Sequence, residues 1–257
     1  MKIVLDVHCH TIASGHAYST LTENAAHAAA VGLTHIAITD HGPAMPGGAH
    51  LYAFANQSCL PDYVHGVRVL KSAEVNITDS DGNLDLPDKL LGRMDFAIAS
   101  LHRGVCPPTS KDTHTSTLLK AMENPMVSIL GHPCDFFFDI DIKAVVVAAA
   151  KTGTIIEINN QSLNPDSVRF DGDTKLRELA ALCKKHAVPV IAGSDAHFWS
   201  LVGDVGQAMA LIEDAGLPES QVLNTSAELF FATIAKKRGY VASQSKNIIL
   251  TQEEASK

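Results

Sequence analysis

Cysteine is sparse in this chain of 257 residues and shows no pattern of pairing. The five cysteines are scattered and include no C-x-x-C pair: Cys9, Cys59, Cys106, Cys134 and Cys183. A disulfide framework uses an even set of cysteines at suitable spacings and forms in oxidising compartments. The sequence therefore predicts a protein of a reducing compartment, and the cytoplasm is the expected location.

Long apolar runs and basic stretches are missing as well. The longest apolar run, residues 144–150, is much shorter than the ~20 residues that span a bilayer. Asp6 and His8 interrupt the apolar N-terminal segment, which argues against a secretory signal. The net charge is −8, and there is no basic stripe to displace counterions from a nucleic acid. We therefore expect neither a membrane nor a long nucleic acid among the partners.

Aromatic residues make up only 5% of the chain, whereas hydrophobic residues make up 46%, which is typical of an α/β core. Nearly continuous apolar runs alternate with helical segments, as expected for a parallel sheet that is buried on both faces. The predicted strands are 2–8, 34–40, 67–75, 95–101, 127–131, 154–159 and 188–194. The predicted helices are 21–30, 114–123, 143–152 and 173–186, with a closing helix over 226–239.

Histidine, in contrast, is abundant: the chain has thirteen, and seven follow the end of a predicted strand. These are His8, His10, His16, His41, His102, His132 and His197, and Glu74 and Asp195 occupy comparable positions. Imidazoles and carboxylates gathered from many strand ends are the ligands that a cluster of divalent metal ions requires. A doubly wound sheet would gather residues from two or three strands, whereas at least six contribute here, so a closed barrel of the TIM type is favoured. We predict one barrel domain over residues 1–245 and a tail over 246–257.

Spacing supports the metal interpretation over structural alternatives. His8 and His10 are two residues apart and therefore share one face of a strand, as Asp195 and His197 do. The alternative for the second pair is an aspartate that only orients a histidine. Glu74 ends an apolar run, where a lone carboxylate would be costly unless it is paired or bound to metal. Such structural explanations would have to hold independently at six strand ends.

The motifs together resemble the PHP (polymerase and histidinol phosphatase) superfamily, and within it the YcdX-like probable phosphatases. They are H-x-H-T at 8–11, S-G-H-A-Y-S-T at 14–20, I-T-D-H-G at 38–42, G-H-P at 131–133, E-I-N-N at 157–160 and G-S-D-A-H at 193–197, with Glu74 and His102. The resemblance implies a distorted (β/α)7 TIM-like barrel with three metal ions per chain at its C-terminal face. Zinc is the expected metal, with manganese or iron as alternatives.

The resemblance also implies how the ligands divide among the ions. One ion would be held by His8, His10, Glu74 and Asp195. A second would share Glu74 as a bridge and add His102 and His132. The third would be held by His16, His41 and His197.

Such an inventory suits the hydrolysis of phosphoric esters. Seven neutral imidazoles and two carboxylates around three dications leave a net charge of about +4, which attracts phosphate and lowers the pKa of bound water from ~15.7 toward ~7. The hypothesis is that a metal-bridging hydroxide attacks the phosphorus of a small phosphomonoester in line. Glu74, Asp195 and Arg103 are the predicted catalytic residues. Arg103, Asn159 and Arg169 are the predicted substrate contacts, and a solvated surface charge is the alternative for each arginine.

Three other functions stay open at this point. The first is a phosphodiesterase or exonuclease that uses the same metals. A metal-dependent amidohydrolase is more distant, because no bridging lysine is evident at a strand end. The third is a non-catalytic zinc-binding or regulatory module, although structural zinc sites are typically closed and rich in cysteine. We also expect a homo-oligomer, and a trimer in particular.

Overall fold

The computed structural model describes residues 1–167 and 173–239. The predicted domain boundary at 245 and the tail at 246–257 lie outside these residues. The described part contains nine strands: β1 (Leu5–Asp6), β2 (His35–Ile38), β3 (Tyr63–Val64), β4 (Val67–Lys71), β5 (Glu74–Asn76), β6 (Ile98–Ser100), β7 (Ile129–Leu130), β8 (Ile155–Asn159) and β9 (Val190–Gly193). It contains eight α-helices: α1 (Leu21–Ala30), α2 (Leu51–Ala55), α3 (Asp88–Leu91), α4 (Lys111–Glu123), α5 (Ile142–Thr152), α6 (Thr174–His186), α7 (Gly206–Asp214) and α8 (Ala227–Lys237).

The strands form two sheets, with the orders β1-β2-β4-β3 and β5-β6-β7-β8-β9. All strand pairs are parallel except β3 with β4, which pair antiparallel. This confirms the predicted α/β class with a parallel sheet. The antiparallel β3 consists of two residues only, so periodicity does not reveal it.

The predicted strand 67–75 is wrong as a single element, because it divides into β4 and β5. The main chain changes partners between the two parts: β4 pairs with β2, whereas β5 pairs with β6. The Lys71 carbonyl accepts from the Asp95 amide at 2.8 Å, and the Ala73 carbonyl accepts from the Ile98 amide at 3.0 Å. The extended segment therefore contributes to both sheets.

Isolated parallel bridges join the two sheets at two places. One bridge links His41 with Glu74, and the other links Cys9 with Ala196. The fully buried Asn224 makes a further connection between β1 and β9, and its side chain accepts from the Ala192 amide at 2.7 Å. The same side chain donates to the carbonyls of Ala192 at 2.8 Å and Leu5 at 3.3 Å. Asn224 thus ties β1 to β9 where their own ladder is incomplete.

Residues at the ends of α1 and α5 satisfy free backbone groups of these helices. Thr20 and Glu23 cap α1 reciprocally, side chain to backbone, which is a capping box. Asp141 caps α5 through the Ala144 amide, and Gly153 ends that helix with a φ of 73°, a conformation that favours glycine. The predicted helix 21–30 agrees with α1, while α4 begins three residues before its predicted start.

The closing helix predicted over 226–239 is confirmed as α8. Its Phe230 and Ile234 are buried in an apolar cluster that includes Leu5, Ile98 and Ile129 from three different strands. Phe230 makes an edge-to-face contact with Phe96 at a centroid distance of 5.3 Å. None of the described helices is long and apolar enough to cross a membrane.

Candidate metal centre

The nine predicted metal ligands lie close together in the structure, eight of them in segments that follow the C-terminal end of a strand. They come from the segments that follow β1, β2, β6, β7 and β9, and from the first residue of β5. Seven of the nine are buried, while His197 is partly exposed and His16 is exposed. The parallel sheet places these strand ends side by side, and so it brings together residues that are as far apart in sequence as His8 and His197.

Four of the predicted ligands surround one point. The Nε2 atoms of His8 and His10 lie 3.3 and 3.5 Å from Oε2 of Glu74. The same two nitrogens lie 3.6 and 3.1 Å from Oδ1 of Asp195. Ligand atoms bonded at about 2.0–2.2 Å to a tetrahedral zinc ion lie about 3.3–3.6 Å from one another. These four nitrogen–oxygen distances are therefore close to those of a tetrahedral metal site.

The second carboxylate oxygen of Glu74 faces a different pair of histidines. Its Oε1 lies 2.9 Å from Nε2 of His132 and 3.2 Å from Nε2 of His102. Glu74 is fully buried, and its two oxygens therefore point to two groups of imidazoles. A carboxylate in this position is suited to bridging two cations.

The remaining histidines stack beside this pair of groups. His16 lies 4.9 Å from His41 and 4.8 Å from His197, measured between ring centroids. His41 also lies close to Glu74, with 2.8 Å between its Nδ1 and Oε2. The sets of ligand atoms within 4.8 Å of one another are His10, His41 and His197; His8, His10 and Glu74; and His41, Glu74 and His102. His41 therefore belongs to two sets, whereas His16, His132 and Asp195 belong to none of them, which differs from the division that the resemblance implies.

Several buried nitrogen and oxygen atoms of these side chains lack a hydrogen-bond partner in the described part of the chain, which is expected of atoms that bind metal ions. Among the described residues, five buried ligand atoms have no hydrogen-bond partner: Nε2 of His8, His10 and His102, Nδ1 of His41, and Oε2 of Glu74. Buried polar atoms are nearly always paired, and a cluster of exceptions at one place requires an explanation. Imidazole nitrogens and a carboxylate that point at one another are explained by divalent cations between them.

Outer partners orient the imidazoles so that Nε2 points inward. Nδ1 of His8 donates to Oε1 of Glu157 at 2.6 Å, and Nδ1 of His102 donates to Oδ1 of Asn76 at 2.7 Å. Nδ1 of His197 donates to the carbonyl of Asp195 at 2.9 Å. In each case the proton is on Nδ1, which leaves Nε2 as the available ligand atom.

Ser14 does the same for His10 by a less direct route. Its hydroxyl donates to Oδ1 of Asp40 at 2.7 Å, so its oxygen accepts from Nδ1 of His10 at 3.0 Å. It also accepts from the His41 amide at 3.2 Å. Asp40 further accepts from the Thr11 amide and hydroxyl, at 2.7 and 2.8 Å. Asp40 therefore stabilises the loop that follows β1 and orients His10 through Ser14.

The charges of the centre depend strongly on one another. Burial alone would raise the pKa of Glu74, but the surrounding imidazoles, His8 first, hold it well below its usual value. Burial alone would lower the pKa of His8, but the nearby carboxylates, Glu157 first, raise it well above its usual value. Burial lowers the pKa of His102 to about 4, against the opposing effect of Glu74. Burial and then His41 hold the pKa of His10 well below its usual value. Glu74 is therefore ionised at neutral pH, and the imidazoles of His10 and His102 are neutral.

The predicted substrate contacts are placed differently from one another. Arg103 is exposed beside His102, and its guanidinium lies 4.4 Å from the centroid of the Phe137 ring. Asn159 is fully buried; its side-chain amide donates to Glu157 and Asp195 at 3.3 Å each, and its Oδ1 accepts from the Ser162 amide at 3.2 Å. Arg169 lies outside the described residues.

The sequence analysis missed the residues that orient the ligands, above all Glu157, Ser14 and Asn76. Glu157 had a detectable signal, since it is a carboxylate within the apolar run TIIEIN, as Glu74 is at the end of its own run. Ser14 and Asn76 had none, because a serine in a loop and an asparagine at a strand end are common.

Comparisons with known proteins agree with this geometry. The PHP domain family matches residues 6–160. A probable phosphatase of Thermoanaerobacter sp. (strain X514) is 47% identical over 227 residues, which are 88% of this chain and 91% of that protein. A probable phosphatase of Acetivibrio thermocellus is 42% identical over 238 residues, which are 93% of this chain and 98% of that protein.

One solved structure with a similar fold is the histidinol phosphate phosphatase of Lactococcus lactis subsp. lactis, complexed with zinc, L-histidinol and phosphate. The TM-score is 0.58, the alignment covers 83% of this chain and 94% of that one, and the sequence identity is 17%. At this identity the likeness is evidence of a shared fold, and function has to be argued from the site itself.

Proposed function

Because the chain belongs to the PHP domain family, we propose that it is a metal-dependent phosphatase, a phosphoric ester hydrolase that acts on small phosphomonoesters at a centre of three metal ions. The observation that supports this most directly is Glu74. Its two buried oxygens face two groups of imidazoles, and its Oε2 has no hydrogen-bond partner among the described residues. The probable phosphatases to which the chain is similar agree with this reaction class.

We propose that the two sheets close into a distorted seven-stranded barrel, with β4 and β5 acting as one bent strand. The two bridges between the sheets, His41 with Glu74 and Cys9 with Ala196, support closure. The likeness in fold to a PHP histidinol phosphatase is consistent with it. The nine ligands would then lie at one end of the barrel, where such folds place their active sites.

The residues of the chain would hold three ions in the division given above. His8, His10, Glu74 and Asp195 have the spacing for the first, and Glu74 would bridge to the ion held by His102 and His132. His16, His41 and His197 would hold the third, and the nearness of His41 to Glu74 would keep that ion beside the bridge. When bound, such ions supply water that is acidic enough to ionise near neutral pH and offset the charge of a phosphate group. Zinc suits the imidazole-rich donor set, and manganese or iron would be tolerated at the carboxylate.

The chain contributes the orientation of the ligands. Asn159 donates to Oδ2 of Asp195, while Oδ1 faces Nε2 of His10. Through Oδ1 the carboxylate of Asp195 would hold the first ion. Arg103 follows His102 in the sequence and its guanidinium lies over the Phe137 ring; this residue would bind the phosphate.

Hydrolysis of an aryl phosphomonoester and of the matching bis-aryl diester, with zinc-reconstituted protein, tests this function. We expect turnover of the monoester, and loss of that turnover in Asp195→Asn with metal still bound at reduced affinity. Metal analysis should find close to three ions per chain.

Other results would point elsewhere. Equal or faster turnover of the diester would replace the phosphatase with a diesterase or exonuclease. Bound metal with no hydrolysis of either ester would favour a zinc-binding or regulatory module. One metal ion or none per chain would refute the trinuclear centre.

A further inference from the structure

Glu157 is a fully buried carboxylate in β8 that is not placed to bind metal itself. Both of its oxygens are already occupied by hydrogen bonds from residues around the centre. Oε1 accepts from His8, and Oε2 accepts from the backbone of His132. Burying a carboxylate costs free energy unless it is hydrogen-bonded, so its contacts indicate its role.

The first contact fixes the tautomer of a ligand. Nδ1 of His8 lies 2.6 Å from Oε1 of Glu157, so the imidazole proton is held on the side that faces away from the centre. Nε2 of His8 then lies 3.3 Å from Glu74 and 3.6 Å from Asp195, in the first group of ligands. A carboxylate behind a histidine ligand fixes the ring and increases its basicity.

The second contact fixes the backbone of another ligand. The His132 amide donates to Oε2 of Glu157 at 2.7 Å, and His132 has a φ of 25°, in the left-handed region that non-glycine residues rarely adopt. In this conformation Nε2 of His132 lies 2.9 Å from Oε1 of Glu74, in the second group of ligands. One carboxylate therefore holds a ligand in each of two groups.

The surrounding backbone leaves room for this carboxylate and for little else. A Cβ added at Gly193 would lie 2.9 Å from Cδ of Glu157 and 3.1 Å from Cβ of His8. A Cβ added at Gly131, on the neighbouring strand end, would lie 2.7 Å from Cγ2 of Ile98 and 3.6 Å from Oε2 of Glu157. Glycine at 193 therefore lets β9 approach the carboxylate closely, and glycine at 131 lets β7 approach β6.

We infer that Glu157 is a positioning residue that sets the geometry of the first two metal sites together, through the side chain of His8 and the main chain of His132. The inference rests on the proposed metal centre. It separates the three ions into two whose affinity depends on Glu157 and a third, at His16, His41 and His197, whose affinity does not.

The test measures zinc affinity by competition with a chelator of known affinity, in wild type, Glu157→Gln and a control, Glu178→Gln. Glu178 is an exposed residue of α6, so the control makes the same chemical change away from the centre. We expect two of the three zinc ions in Glu157→Gln to bind about 10–100-fold more weakly, as is usual when an outer partner of a ligand is lost. The third ion and all three ions of the control should keep their affinity within about twofold.

A spectroscopic measurement separates positioning from general support of the fold. In the zinc-loaded protein, the Nδ1 proton of His8 should be strongly deshielded by its carboxylate acceptor, and it should move upfield in Glu157→Gln. If Glu157→Gln does not fold, as judged by circular dichroism, Glu157→Asp takes its place, because it keeps the charge but not the reach to His8.

The outcomes are distinct. Selective weakening of two ions together with the proton shift supports the inference. Equal weakening of all three ions, unchanged affinities, or an unmoved proton would overturn it. A wild-type protein that binds no zinc would instead refute the proposed function, before any variant is compared.

Discussion

Substituting alanine for Gly193 is expected to damage both the stability and the metal affinity of the protein, although it adds one methyl group. The new Cβ would lie 2.9 Å from Cδ of Glu157, and still closer to its Oε1, whereas ordinary van der Waals contact begins at 3.4 Å. The carboxylate carbon must therefore retreat by at least 0.5 Å, and the oxygen by more. Retreat is obstructed, because the two oxygens are held by His8 and His132 at 2.6 and 2.7 Å.

The size of the effect follows from two contributions that overlap. Overpacking a well-packed interior costs about 1–3 kcal/mol, and weakening a hydrogen bond to a charged group costs about 1.5–3 kcal/mol. Since the same movement relieves the first and causes the second, we expect a combined loss of about 2–4 kcal/mol, not their full sum. For a chain of this size that lowers Tm by roughly 5–15 °C.

The assay is thermal unfolding of the metal-free protein, followed by zinc competition, with Gly206→Ala as the matched control. Gly206 begins α7, and a Cβ added there would meet no neighbouring side chain or backbone of the described residues within 4 Å. The control therefore adds the same methyl group without a clash. It should leave Tm unchanged or raise it slightly, because alanine restricts the unfolded chain. A Gly193→Ala protein whose Tm and zinc affinity match those of wild type would refute the reasoning, since it would mean that Glu157 moves freely.

Three further outcomes are expected. Removing metal with a chelator should abolish hydrolysis and lower Tm, and adding zinc back should restore both, because ions that bind only the folded state stabilise it by about 4 kcal/mol at a thousand times Kd. Asn224→Ala should reduce the unfolding free energy in urea by about 2–4 kcal/mol, because it leaves the Ala192 amide and carbonyl without their partner, while zinc stoichiometry stays at the wild-type value. Burial lowers the pKa of Lys237 to about 8, from 10.5 in the unfolded chain. Between pH 8 and 10.5 the unfolded state therefore binds more protons than the folded state. The stability of wild type relative to Lys237→Met should rise as the pH increases over this range. A difference in urea midpoint that is constant over that range would contradict the last expectation.

The strand ends could be predicted from the sequence because two simple periodicities place them. Continuous apolar runs define buried strands, and a polar residue where such a run ends must lie at the same edge as the others if the strands are parallel. For that reason His8, His102 and His132 could be recognised without a structure. The division of 67–75 could not, because the exchange of partners at Ser72 and Ala73 depends on the curvature of the sheets and leaves no mark on local composition.

The sequence predicts which side chains come together better than it predicts how they divide into groups. His41 illustrates this, since its Nδ1 lies beside Glu74 while its ring stacks on His10 and His16. The direction of an imidazole depends on its χ angles and on the acceptor behind it, and neither is encoded by spacing along the chain. The resemblance to a family implies one division of the residues among three ions. In this chain His41 lies closer to Glu74 than that division suggests.

Glu74 and Glu157 show where the limit lies. Both are carboxylates in apolar runs, both are fully buried, and the same rule finds both. What separates them is the atoms that they contact: Glu157 accepts from Nδ1 of His8 and from the His132 amide, whereas Glu74 lies against Nε2 of both histidines. The register does not separate them in this way, because Glu74 is level with Ile98, Ile129 and Ile155, two positions before Glu157. A carboxylate behind an imidazole orients the ring, and we propose that one facing the free nitrogens binds metal; telling the two apart requires the side-chain positions.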